Sequence, residues 1–116
     1  MLLDEFNADF AYLDTELMPK ISRTFDYTLR KLPTNLRQST IVAYAFCRAL
    51  DNVEDSRISP ESKIELMNDI ISTFSKGDIN TARNLEARLD MINPKKKEYR
   101  ELMLNFSRVV SASGIL

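Results

Sequence analysis

Apolar residues recur along this chain at the three-and-four spacing of helices, and no alternating strand pattern or Asn-Gly hairpin signal interrupts them. The first stretch, Asp4 to Met18, puts Phe6, Phe10, Leu13 and Leu17 on one face and is expected to stop at Pro19. A short second helix is expected from Ser22 to just before Pro33, with Ile21, Phe25, Leu29 and Leu32 as its apolar positions. Thr34 then reads as the N-cap of a long third helix, Asn35 to Asp55.

The run "ISPES" gives a restart, with Ser59 as cap and Pro60 in the first helical position, where its missing N–H costs nothing. Ile64, Met67, Ile71 and Phe74 are expected to face inward on this fourth helix, which Gly77 ends. Asp78 caps a fifth helix through Leu85, Leu89 and Ile92, closed at Asn93-Pro94. A sixth follows with Tyr99, Leu102, Phe106 and Val109. The pattern therefore predicts an all-α fold of about six short helices, one helical domain over residues 1–116, with linkers too short to mark a boundary.

Composition narrows the function classes. A formal charge of −1, with no basic-aromatic stripe, argues against nucleic acid as a partner. The absence of histidine excludes imidazole-based catalysis and zinc sites that need it. The single cysteine, Cys47, cannot form an internal disulfide and suits a reducing, cytoplasmic compartment; it reads as a small buried hydrophobe. No apolar run is long enough to span a bilayer, which leaves membrane contact at most peripheral.

The third helix carries the candidate chemistry. At 100° per residue, Tyr44, Arg48, Asp51 and Asp55 fall within about 60° of one another, and Val42, Phe46, Ala49 and Val53 cluster opposite. Two carboxylates one turn apart can share Mg2+, which favours oxygen ligands, and Arg48 offers a planar fork for phosphate oxygens. Asp51, Glu54 and Asp55 also crowd the helix C-terminus, where the macrodipole disfavours negative charge. Spacing alone leaves two readings: a solvated face with a weak Arg48–Asp51 pair, or a magnesium-diphosphate site.

The longer run "ISRTFDYTLRKLPTNLRQSTIVAYAFCRALDNVEDS", residues 21 to 56, resembles the N-terminal part of the squalene/phytoene synthases, which join two prenyl diphosphates head to head in isoprenoid biosynthesis. The likeness lies in Ser-Arg-x-Phe, a Leu-Pro break, a Leu-Arg helix start and Tyr-x-x-x-Arg-x-x-Asp-x-x-x-Asp, in that order. It implies the N-terminal part of the all-helical isoprenoid synthase fold. It also implies that Asp51 and Asp55 hold Mg2+ against a prenyl diphosphate, such as farnesyl or geranylgeranyl diphosphate, and that Arg48 contacts the same diphosphate. By the same resemblance Ser22, Arg23 and Phe25 belong to the segment flanking the diphosphate pocket, with Arg23 as a second phosphate ligand and Phe25 on the cavity. Tyr44, by that resemblance, faces the central cavity and joins Ser22, Arg23 and Arg48 in binding the substrate diphosphate. In the family, metal-assisted loss of diphosphate gives an allylic cation that the second substrate attacks, through a cyclopropyl diphosphate, in a site that excludes water. A nicotinamide reduction step stays open.

The sequence departs from the family in lacking a second aspartate-rich motif. Glu86 to Asp90 has the offset for paired carboxylates but fits no family motif and reads as a solvated helix face. The closing "SASGIL" reads as a turn into a further apolar element, so an incomplete synthase domain, without turnover of its own, is expected. The alternative is a non-catalytic helical module that pairs with another chain or with a second copy. Lys95, Lys96 and Lys97 read as a solvated run, with an anionic membrane surface as the lesser alternative, and the five methionines as core filler.

Overall fold

Helix-forming sequence and short polar breaks give a flattened stack of helices, 40 × 32 × 18 Å, about two helix layers deep. The computed structural model describes residues 2–94 and 96–115, and the side chains of residues 7–94 and 96–114. Its helices are α1 (Leu2–Tyr12), α2 (Met18–Ile21), α3 (Arg23–Leu29), α4 (Thr34–Glu54), α5 (Pro60–Lys76), α6 (Ile79–Asp90), α7 (Lys97–Leu104) and α8 (Phe106–Ala112), with a closing 3-10 turn, Ser113–Ile115. No strand occurs among the described residues. Joining α1 with α2 and α7 with α8, which run on from one another, leaves six helical units, so the all-α expectation holds.

The first departure is at Pro19, which does not stop the first helix. A π turn, Leu13–Leu17, links α1 to α2, and the Met18 N–H reaches five residues back to the Leu13 carbonyl. In that register Pro19 has no N–H to give the Asp14 carbonyl. The Arg30 guanidinium donates to it instead, so the proline is carried without an orphaned acceptor. Arg30 Nη1 also lies 2.7 Å from the Asp14 carboxylate, Arg30 Nη2 2.7 Å from Asp26, and Arg37 Nε 3.6 Å from Asp14. Asp14 is only 8% exposed, so this ionic cluster ties the π turn to the end of α3 and the start of α4.

Other expected boundaries shift for local reasons. Pro33, not Thr34, holds the N-cap position of α4, with no side-chain cap. Ser59 and Asp78 cap α5 and α6 as expected, accepting from the Ser62 and Thr81 backbone N–H groups. Gly77 closes α5 at φ 64°, the left-handed conformation that glycine adopts without strain. Asn105 divides the sixth helix: its φ of −115° leaves α geometry, and its side-chain amide donates to the Glu101 carbonyl.

The core gathers Phe10, Leu13 and Leu17 with Ile41, Val42, Ala45, Ala49 and Val53 of α4 and Leu102, Phe106 and Val109 of the last helices. Each large side chain so buried contributes about 1.5–3 kcal/mol of transfer free energy. The expected Phe6 contact lies outside the described side chains. On α5 the inward face differs from expectation: Leu66, Ile70 and Thr73 are buried, Met67 and Phe74 half-buried, and Ile64 and Ile71 point outward. Met18 and Met103 fill the core, whereas Met91 stands exposed, against the reading of all methionines as filler.

Candidate functional site

α4 carries the candidate residues, and its burial pattern moves them from where spacing put them. The buried positions Ile41, Val42, Ala45, Ala49, Asn52 and Val53 centre the core face nearer Asn52 than expected. Tyr44, Arg48 and Asp55 therefore run along the border of the core rather than opposite it, with Arg37 in line two turns before Tyr44. Cys47 lies roughly 180° from the core centre. It is exposed, which corrects the expectation of a buried thiol.

Arg48 organises this border. Its Nη2 is 3.3 Å from Asp55 and its Nη1 3.8 Å from Asp51, while its Nε donates to Asn52 Oδ1 at 3.1 Å. The guanidinium lies over the Tyr99 ring, 4.5 Å from the ring centre, a cation–π contact from α7. The Arg48 side chain is 20% exposed, against 56% for Asp51 and 73% for Asp55. Asn52 is buried, and its Nδ2 has no hydrogen-bond partner among the described residues. An unmade bond of that kind costs about 1–3 kcal/mol.

The acidic end of α4 is not without compensation. Lys63 donates to the Glu54 carbonyl at 2.6 Å, placing a cation on the helix C-terminus, and Arg48 bridges the two aspartates. Charge balance thus explains why three acids are tolerated there. It does not explain the buried, half-used amide of Asn52.

Among the upstream residues, the structure joins some and leaves others apart. Phe25 of α3 meets Tyr44 with ring centres 4.8 Å apart. Tyr44 is one turn before Arg48, so α3 adjoins the same border. Ser22 is the extended hinge between α2 and α3: its N–H bonds the Met18 carbonyl and its carbonyl accepts from Asp26 N–H. Its side chain makes no cap. Arg23 is exposed and pairs with no carboxylate among the described residues, and no hydrogen bond or ion pair among them links Ser22 or Arg23 to Asp51 or Asp55.

Two residues escaped the sequence reading. Asn52 stands one turn after Arg48, a spacing that flags it, whereas Tyr99 falls on the expected core face of the last helix and carries no local signal. α7 is held in place by Glu101, which accepts from the Tyr12 hydroxyl at 2.7 Å and from Lys20 at 3.2 Å. The Tyr12 hydroxyl and Lys20 together hold the Glu101 carboxyl below its usual range. Burial, then Glu101, pushes the Tyr12 hydroxyl up.

Asp51 and Asp55 suit a hard cation. Both are reached by one guanidinium, so their oxygens converge on a single positive centre, and both remain open to water. Among the described residues no group of three or more histidine, cysteine, aspartate or glutamate side chains forms a metal cage. A Mg2+ here would draw its other ligands from water and substrate, as Mg2+ commonly does. Elsewhere, Glu86 accepts from the Ser107 backbone N–H and Asp90 pairs with Arg100, and both are half-buried, so these acids tie α6 to the last helices rather than forming the solvated face expected. Clefts of about 290 Å³ beside Asp69 and Arg88, and about 390 Å³ beside Asp9, Arg83 and Arg108, lie away from the α4 border. No helix among the described residues is long and apolar enough to cross a membrane.

Comparison with known proteins bears on this geometry. The squalene/phytoene synthase family model matches residues 18–115. A squalene synthase of Schizosaccharomyces pombe is 27% identical over 105 residues, covering 83% of this chain and 22% of that protein. Squalene synthase BSS of Botryococcus braunii is 29% identical over 97 residues, covering 83% of the chain and 19% of the relative. A lycopaoctaene synthase of the same alga is 40% identical over 52 residues, 44% of the chain and 12% of the relative. The chain thus spans about a fifth of the length of the first two. No solved structure gives a significant match. With the family model covering α2 through α8, including the whole α4 border, this chain belongs to the squalene/phytoene synthase family.

Proposed function

We propose that this chain forms the first diphosphate half-site of a head-to-head prenyltransferase, in which Asp51 and Asp55 hold Mg2+ against a prenyl diphosphate. The observation that carries the reading is the convergence of both carboxylates on the single guanidinium of Arg48, at the open end of α4. When bound, Mg2+ would supply the charge that stabilises a departing diphosphate. Arg48, set on Tyr99, presents planar donors to phosphate oxygens, and exposed Arg23 offers a second cation from the start of α3. Phe25 and Tyr44 give the isoprenoid chain an aromatic wall beside the charged end and help exclude water from it.

The chain carries one aspartate pair of this kind, so binding without turnover is expected of it as an isolated protein. Incubation with farnesyl or geranylgeranyl diphosphate and Mg2+ should give binding and no pyrophosphate release. Pyrophosphate together with a C30 or C40 product, the cyclopropyl diphosphate included, would overturn the claim that turnover is absent.

A further inference from the structure

We propose that Asn52 and Tyr99 are positioning residues for Arg48. They fix its guanidinium where it neutralises Asp51 and Asp55 in the metal-free chain, and where it meets diphosphate oxygens once Mg2+ has taken those carboxylates. The inference rests on the metal-site reading of Asp51 and Asp55.

The contacts of Arg48 fall into two sets. Its Nε edge and one face of its plane meet shielded neutral groups: Oδ1 of Asn52, a residue only 4% exposed, at 3.1 Å, and the half-buried Tyr99 ring at 4.5 Å. Its two terminal nitrogens meet the exposed acids Asp55 and Asp51 at 3.3 and 3.8 Å. Ion pairs open to water exchange partners at little cost, whereas a bond to a buried amide does not. The anchored edge therefore stays while the terminal nitrogens change partner. An arginine without such anchors would lose side-chain freedom on meeting phosphate; here that freedom is already lost.

Asn52 supports this division independently. Its Oδ1 serves Arg48 while its Nδ2 is buried without a partner among the described residues, so an apolar residue of similar size would fit the fold better. A residue that satisfies the site and not the core marks a functional position. The same pairing makes Arg48 a competitor of the metal: Mg2+ alone must displace a guanidinium to enter, and diphosphate alone meets a guanidinium already neutralised.

The test uses the whole chain and three variants, with Mn2+ as a spectroscopic stand-in for Mg2+. Without diphosphate, Arg48→Gln should bind Mn2+ about tenfold more tightly than wild type by electron paramagnetic resonance, because its internal competitor is gone. With saturating Mg2+, the same variant should lose most of its affinity for farnesyl thiodiphosphate. Asn52→Leu should melt no lower than wild type and yet bind the thiodiphosphate about tenfold more weakly. Tyr99→Leu repeats the comparison from α7. Mn2+ binding by Arg48→Gln no tighter than wild type, or a lowered melting temperature in Asn52→Leu with unchanged thiodiphosphate affinity, would overturn the proposal. Failure of the metal-site reading shows separately, as wild-type protein that does not bind thiodiphosphate with Mg2+, and the Mn2+ comparison still decides the Arg48 exchange.

Discussion

Replacing Asp51 and Asp55 together by asparagine is expected to weaken Mg2+-dependent binding of farnesyl thiodiphosphate at least about 100-fold and to leave the fold intact. Losing one charged partner of a bound ion costs about 2–5 kcal/mol, and 100-fold corresponds to about 2.7 kcal/mol, so two lost carboxylates exceed that figure. The fold should hardly notice. Both side chains are more than half exposed, their pairs with Arg48 are of the surface kind worth about 0–1 kcal/mol, and both stand at the helix end where negative charge is disfavoured. Calorimetric titration beside a thermal melt reads both halves. Unchanged affinity would remove the two aspartates from the site, and a large drop in melting temperature would make them structural.

The opposite signature is expected at Asp14. Its replacement by alanine should cost about 3 kcal/mol of stability, read by urea denaturation. The carboxylate is buried, with Arg30 at 2.7 Å and Arg37 at 3.6 Å, and the Nε of Arg37 is itself buried without a hydrogen bond among the described residues. Removing the acid leaves two guanidinium groups at the π turn, one of them still occupied by Asp26 and the Asp14 carbonyl. For a domain whose total stability is about 5–15 kcal/mol, that is a large fraction. A loss below about 1 kcal/mol would mean that water replaces Asp14 for both arginines, and that the cluster does not hold α3 to α4.

How far the sequence could be read follows from what each signal depends on. Caps and stops that rest on neighbouring residues were legible: Ser59 with Pro60, Gly77 and Asp78 all act as their chemistry dictates. Pro19 misled because the arginine that donates to the carbonyl it leaves free is 11 residues away at the C-cap of α3, and no local rule anticipates a π turn closed in that manner. The α5 face misled because two apolar stripes fit one helix, Ile64-Met67-Ile71-Phe74 and Leu66-Ile70 with Thr73, and only the partner helices choose between them.

The site divides in the same way. Arg48, Asp51 and Asp55 share one helix, so their convergence is a matter of spacing, whereas the Phe25–Tyr44 contact joins two helices and no spacing predicts it. Tyr99 reaches Arg48 from a helix 51 positions on, and that meeting is a product of packing. Cys47 was misplaced for a simpler reason: the core centre lies nearer Asn52 than the apolar residues alone suggest, because a buried asparagine counts as polar in any pattern.

On the reading proposed above, the C-terminal half of α4 is a metal-dependent diphosphate site. Proton–nitrogen correlation spectra of the wild-type chain, titrated with farnesyl thiodiphosphate in Mg2+ and again in a chelator, test it most directly. The expected result is a set of shifts at Tyr44, Arg48, Asp51, Asn52, Asp55 and Tyr99, with weaker ones at Ser22 to Phe25, present in Mg2+ and absent in the chelator. Shifts of equal size in both conditions, or shifts confined to the arginine-lined cleft of Asp9, Arg83 and Arg108, would contradict it.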